Sequence, residues 1–361
     1  MNNYHFKIFF ISILISILGI FTIYSVRYPS NVLIPFPLYI RQIIWISLGL
    51  VLCWIIYKWD VRKLWDIAYF LYIITLVLLI LVDILGYVRL GAQRWLRILW
   101  LNFQPSELAK LSIIVILARY FSHISVKEIR REANFIKSIF IPFLLIIVPM
   151  FLILQQPDLG TALMLFFIYV SLVYFAGIKR RYLLIFFLFL ICLSPLLWVF
   201  LKDYQKERLL VFINPDKDPL GAGYTVTQSK ITVGSGRLFG KGWLGGTQGQ
   251  LRFLPEAHTD FIFASFSEEW GFLGSIFLIG LYYLFIFYGL KIAEHTEERF
   301  KQLLALGIVS MFFIQIFINI SMTLGIAPVV GLPLVFFSYG GSSVVISFLS
   351  VGILMSINKR R

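Results

Sequence analysis

Ten apolar runs, each long enough to cross a bilayer, constrain this chain more than any other feature. They fall at about 8–26, 38–57, 65–85, 105–122, 138–155, 160–177, 183–201, 264–290, 303–325 and 333–357. A helix rises 1.5 Å per residue, so roughly twenty residues cover the ~30 Å hydrocarbon layer. Hydrophobic residues make up 60% of the 361 positions and charged ones only 14%. A water-soluble chain of this size cannot bury that much apolar surface, so the excess must face lipid. Lipid offers the backbone no hydrogen-bond partners, and helices satisfy their own. The expected fold is an all-α polytopic membrane protein with ten transmembrane helices, forming a single membrane domain over residues 1–361. The first run, Ile8–Val26, has no small-residue cleavage site behind it and is read as a span rather than a removed signal peptide. Cys53 and Cys192 both lie within apolar runs, where packing rather than disulfide formation is expected.

The net charge of +14 invites a nucleic-acid reading until the basic residues are placed. With the N-terminus in the cytoplasm, eighteen Lys and Arg residues fall on inside segments. The short outside segments hold only Arg27, Arg41, Arg89, Arg94 and Arg97. Basic side chains favour the cytoplasmic side of short loops, so the charge is a topology signal that puts both termini inside. It needs no nucleic acid.

One outside segment breaks the rhythm of short connections. From about 202 to 259, between spans seven and eight, the chain runs nearly sixty residues without a span. Long ordered loops are usually functional, and this one mixes Phe239, Trp243, Phe253 and Leu254 with nine glycines between 221 and 249. Two nucleotide-binding motifs nearly match here and are rejected. "GKGWLG" (240–245) fits G-x-G-x-x-G but lacks a surrounding strand–turn–helix unit, and "SGRLFGKG" (235–242) lacks the P-loop glycine spacing and the Ser/Thr after Lys241.

Polar residues are scarce in the spans, so the few present are informative. In "QPSELAK" (104–110), Pro105 suits the first helical position, and Glu107 and Lys110 lie three residues apart on one face. Either one unpaired in lipid costs about 2.5–3.5 kcal/mol on insertion scales, and pairing inside a polar cavity removes most of that. A structural ion pair and a substrate-facing cavity both fit. In "QPDLG" (156–160), Asp158 opens another helix at its outer end, where capping alone would explain an acid. "VRLGAQRWLRILWLNF" (88–103) alternates arginines with Trp and Leu. Interface anchoring is the default for Trp95, Arg97 and Trp100, and Arg94 is a candidate for lipid phosphate. "FFSYGGSS" (336–343) suits close helix packing. "LPEAHTDFIF" (254–263) places Glu256, His258 and Asp260 at the lip of a run that, from Phe261 to Leu290, would be about 45 Å long as one helix. Its first turns are expected to lie at the interface or to bend. By topology, Glu107, Lys110, Asp158 and Asp260 all fall toward the outer leaflet.

These motifs, in this order, resemble the SEDS proteins of bacterial shape, elongation, division and sporulation: "GAQRWL", "QPSELAK", "QPDLGTA", "GLPLVFFSYGGSS" and the whole stretch 213–271. The resemblance covers essentially the entire chain, and the loop wording is most similar to the family's elongation member. Phe336 stands where the family pattern has proline, which bears on how the last helix begins. The resemblance implies a glycosyltransferase that polymerises lipid II into glycan strands outside the cytoplasmic membrane. The implied partners are a class B penicillin-binding protein and the elongation machinery. It implies a catalytic role for Asp260 and cavity roles for Glu107, Lys110 and Asp158.

The chemistry is consistent with those roles. Glycosyl transfer from an undecaprenyl diphosphate donor needs a base for the acceptor's 4-hydroxyl and cations for the departing diphosphate. Asp260 is assigned as base. Lys110 and Arg94 are candidates for the diphosphate, Lys241 is a further loop candidate, Glu107 holds Lys110 charged, and Asp158 lines the cavity. Inversion at the donor carbon needs one base and no covalent intermediate. A divalent cation at the diphosphate is possible, although no ligand cluster with metal spacing is visible. His258 is an alternative proton carrier, with helix entry its plainer role. A lipid-precursor flippase and a non-catalytic scaffold for the cross-linking enzyme stand as alternatives.

Overall fold

The computed structural model describes residues 3–28, 36–89, 92–98, 101–124, 136–200, 203–214, 218 and 221–359. Trp100 and the basic residues Lys127, Arg130, Arg131, Arg360 and Arg361 lie outside these. The chain is mostly helical, and a helix stands at each of the ten apolar runs. In chain order these are α1 (Tyr4–Val26), α2 (Leu38–Lys58), α3 (Arg62–Leu85), α4 (Pro105–His123), α5 (Ile141–Gln155), α6 (Leu159–Ala176) and α7 (Arg180–Phe200). Three short helices follow, α8 (Asp203–Ile213), α9 (Ala222–Ser235) and α10 (Thr247–Gln250), and then α11 (Ile262–Glu294), α12 (Arg299–Thr323) and α13 (Gly341–Ile357). Among the described residues, seven helices are long and apolar enough to cross a membrane: α1, α2, α3, α5 with its leading turn, α6, α11 and α12. Large apolar side chains such as Phe10, Trp54, Phe70, Phe277, Tyr283 and Phe317 point outward from them, as a lipid-facing surface requires.

The centre is built from α4, α6 and α12, which pack on one another, with α3 and α5 beside α4. On the other side α13 lies against α2, and α1 against α11. Small residues set the closest approaches: Gly49 faces the Phe348 ring, and Gly352 faces the Cys53 backbone.

Two features depart from the expected all-helical bundle. Three short strands, β1 (Tyr87–Arg89), β2 (Ala92–Ile98) and β3 (Leu101–Phe103), form an antiparallel sheet, with Tyr87 opposite Trp95 and Leu96 opposite Phe103. The alternation of Arg with Trp and Leu in this stretch has the period of a strand. The last run does not become helical until Gly341. Residues 328–334 have no helical turn, and Phe336, where proline was expected, takes φ +61° and is buried against Phe285, Phe312 and Phe348. The stretch between α7 and α11 carries α8, α9 and α10.

The bend expected from the length of the 261–290 run is present in α11. Gly271 has φ +65° and ψ −162°, a region essentially reserved for glycine, and divides α11 into two helices. The loop at 236–242 fills the break. The Lys241 and Gly242 amides donate to Glu268 O and Glu269 O (both 3.0 Å), and the Phe272 amide donates to Arg237 O (2.8 Å). A Cβ at Gly271 would sit 2.6 Å from Leu238 O and closer still to the Gly240 amide. Gly271→Ala is therefore expected to destabilise the fold by at least about 1–3 kcal/mol, read as a lowered melting temperature in detergent or nanodiscs.

Candidate active site

Asp260 occupies the last turn before α11, just outside the membrane-spanning segment. The chain reaches it through a tight loop in which Glu256 takes the left-handed region at φ +48° and its carbonyl accepts from the Thr259 amide (3.1 Å) and the Phe261 amide (3.3 Å). Thr259 Oγ1 donates to Glu256 Oε2 (2.8 Å). The 331–339 segment holds this loop from the other side. Ser338 Oγ donates to Thr259 O (2.6 Å), and the Tyr339 amide donates to His258 O (3.0 Å). His258 thus serves the helix entry through its backbone, while its ring lies 3.5 Å from Arg27 Nη2.

The half-buried Asp260 carboxyl is pushed up to about 6. Burial is the main cause, and the Glu256 carboxylate adds to it; Arg208 of α8 and Arg94 of β2 pull the other way, and Asp158 pushes up. Four charged groups from four parts of the chain therefore act on this one carboxyl. Three of them, Arg94, Asp158 and Glu256, were singled out in the sequence, the first two as site residues.

Asp158 is both a cap and a site residue. It caps α6 by accepting from the Thr161 amide (3.1 Å) and Thr161 Oγ1 (2.9 Å), and it also accepts from Gln104 Nε2 (3.3 Å). Arg94 Nη1 stands 3.7 Å from its Oδ1. The same guanidinium donates to Gln156 O (3.1 Å) and to Pro157 O, so Arg94 braces the α5–α6 turn beside Asp260. Gln104 ties this corner to the start of α4, and its amide donates to Ser342 Oγ at the start of α13 (3.1 Å).

Glu107 and Lys110 meet as their spacing predicts, at 2.9 Å, and both are buried, at 3% and 1% exposure. Lys110 Nζ also donates to Gln315 Oε1 (2.9 Å) on α12. Gln315 in turn donates to Pro333 O (2.8 Å), in the segment that packs on the Asp260 loop.

Lys241 belongs to another cluster. It pairs with the buried Glu268 (2.5 Å) and donates to Thr247 Oγ1 (3.0 Å); Glu268 also accepts from the Thr247 amide (3.0 Å). Glu268 lies eight residues beyond Asp260, about 12 Å along a helix axis. Beside it the buried Glu269 accepts from Ser25 Oγ of α1. These bonds fasten the 236–248 loop to the break in α11.

Arg208, Glu268, Glu269, Gln315 and Asn319 were not picked out from sequence. The last two carried a signal, since amides four residues apart in the apolar run "QIFIN" demand partners. Among the described residues no three His, Cys, Asp or Glu side chains gather as a metal site.

Comparison with known proteins places this geometry. The family profile described as cell cycle protein, FtsW/RodA/SpoVE, matches residues 5–361. The chain is 41% identical over 322 residues to the peptidoglycan glycosyltransferase MrdB of Escherichia coli K12, covering 89% of this chain and 85% of that one. Its structure resembles a chain solved in a study of structural coordination of polymerization and crosslinking by a peptidoglycan synthase complex. That likeness has a TM-score of 0.83 at 32% identity, over 98% of this chain and 97% of the other. It also resembles the crystal structure of the rod shape determining protein RodA of Thermus thermophilus, with a TM-score of 0.71 at 30% identity over 97% and 95% of the two chains.

Proposed function

The chain belongs to the FtsW/RodA/SpoVE family of cell cycle proteins, and from that premise we propose that it is a peptidoglycan glycosyltransferase that polymerises lipid II during cell elongation. It works at the outer face of the bacterial cytoplasmic membrane, with ten spans and both termini in the cytoplasm. Helices at all ten apolar runs and the distribution of basic residues support that topology. The likeness to a chain from a complex that couples polymerization to crosslinking supports a class B penicillin-binding protein as partner.

The observation that carries the reading is the placement of Asp260, where Arg94, Arg208, Asp158 and Glu256 all act on one partly buried carboxylate. Asp260 takes the proton from the acceptor sugar's 4-hydroxyl as that oxygen bonds to the donor's anomeric carbon. The bond from that carbon to the diphosphate breaks on the opposite face, inverting the centre. Arg94 and Lys110 stabilise the charge that gathers on the diphosphate, Arg208 adds to the positive field, and Asp158 and Glu107 hold the two cations in place. Lys241 reaches a diphosphate only if it leaves Glu268, and it ranks behind the other two.

Incubating the purified chain and its partner with labelled lipid II tests the reading. Polymer is expected; lipid II crossing vesicle bilayers without polymer would establish a transporter instead. The pH dependence is a second check. A base whose carboxyl sits at about 6 is ionised above that pH and becomes protonated as the pH falls through it. The polymerisation rate should be flat near pH 7–8 and about tenfold lower at pH 5. An ordinary carboxylate would keep most of its activity there.

A further inference from the structure

Gln315 and Asn319 lie one turn apart on the same face of α12, about 6 Å along its axis, in the otherwise apolar run from Met311 to Ile320. Both are buried, at 2% and 0% exposure. An amide at this depth has no water to bond, so its partners within the protein show what it is for. Gln315 bridges the Lys110 ammonium, through Oε1, to Pro333 O, through Nε2. Asn319 donates both amide hydrogens, one to Leu332 O (2.7 Å) and one to the carbonyl of Asp260 itself (2.9 Å). Its Oδ1 has no partner among the described residues, so the side chain is oriented by its donors alone.

The strap between the two amides is the backbone at 331–333. Gly331 takes φ +72°, and a Cβ there would stand 3.5 Å from Asp260 Oδ2. The strap therefore passes directly beside the carboxylate that receives the proton. We propose that Gln315 and Asn319 are positioning residues of the transfer reaction, together clamping the 331–333 strap so that the Asp260 carboxylate and the Glu107–Lys110 pair keep a fixed relation. Neither touches the reacting atoms; each acts through the backbone that seats Asp260. The inference rests on the polymerase reading above and adds two residues to it.

Asn319→Leu tests it in the full chain with its cross-linking partner, on labelled lipid II. Leucine fits a membrane interior and removes only the two donor bonds. A carboxylate displaced by about 1 Å loses on the order of 10²-fold in rate, so kcat should fall about 10- to 100-fold with KM changed less than about threefold. The acid limb of the pH profile should also move down, because a displaced Asp260 leaves its buried seat, where Glu256 and Asp158 raise it against Arg94 and Arg208. Gln315→Leu should lower kcat similarly, and the double variant should lose less than the product of the two. Asn319→Leu with wild-type kcat would overturn the inference. So would a loss of kcat with an unmoved acid limb and a lowered melting temperature, which marks a purely structural role. Failure of the wild-type chain to polymerise lipid II would instead defeat the polymerase reading itself.

Discussion

Asp260→Asn is expected to remove polymerase activity while leaving the protein folded. The substitution keeps the shape of the side chain and takes away its basicity. Loss of a positioned general base costs about 10²–10⁴ in rate, so labelled lipid II should yield no detectable polymer over the time in which wild type consumes it. Stability should not suffer. The bonds that hold this turn use backbone groups: the Asp260 carbonyl accepts from Asn319, the Thr259 carbonyl from Ser338, and the Glu256 carbonyl from two amides. The carboxylate itself sits in a seat that disfavours its charge, which is why it is pushed up to about 6. A neutral amide relieves that cost above pH 6, so the melting temperature at pH 7.5 should be equal to or higher than that of wild type. Lost activity with undiminished stability distinguishes a working group from a packing one. If Asp260→Asn polymerises at the wild-type rate, the base lies elsewhere, and His258 on the same loop becomes the group to test.

The parts of this architecture that were legible in the sequence are those written in local spacing. Hydropathy put a helix at each apolar run, because lipid leaves an apolar backbone little choice but a helix, although among the described residues only seven are long and apolar enough to cross a membrane and the last begins only at Gly341. The Glu107–Lys110 pair followed from an i, i+3 spacing and is formed at 2.9 Å. Asp158 was expected as a cap and is one, but its contact with Arg94 joins residues 64 apart and has no local trace. The bend in α11 showed only as excess length. Its position at Gly271 depends on a loop some thirty residues earlier that bonds into the gap, and no periodicity encodes that. The sheet at 87–103 was hidden because the same alternation of Arg and Trp serves an interfacial anchor and a strand. Gln315 and Asn319 were missed, although two amides in an apolar run are a signal, and their partners at Pro333, Leu332 and Asp260 come from the folded chain. What escaped the sequence is the set of contacts that links these scattered polar residues.

The buried pair on α4 gives the second large effect, and here stability and activity should part company. Removing one member of a buried ion pair leaves an uncompensated charge and costs about 3–5 kcal/mol, whereas replacing both with apolar residues of similar size is often neutral. Lys110→Met alone strands Glu107, and Glu107→Leu alone leaves Lys110 with only Gln315; each should lower the melting temperature markedly. The double variant Glu107→Leu/Lys110→Met should melt close to wild type. If the pair were only a bolt between α4 and α12, the double variant would also recover polymerisation. We expect it to remain down by about 10²-fold, the size of effect seen when one donor to a developing negative charge is removed. The ammonium has three N–H donors, of which Glu107 and Gln315 take two, and on the proposed reading the third serves a diphosphate oxygen. A variant that is stable and inactive therefore assigns the charge on Lys110 to the reaction, and one that is stable and active returns the pair to the scaffold.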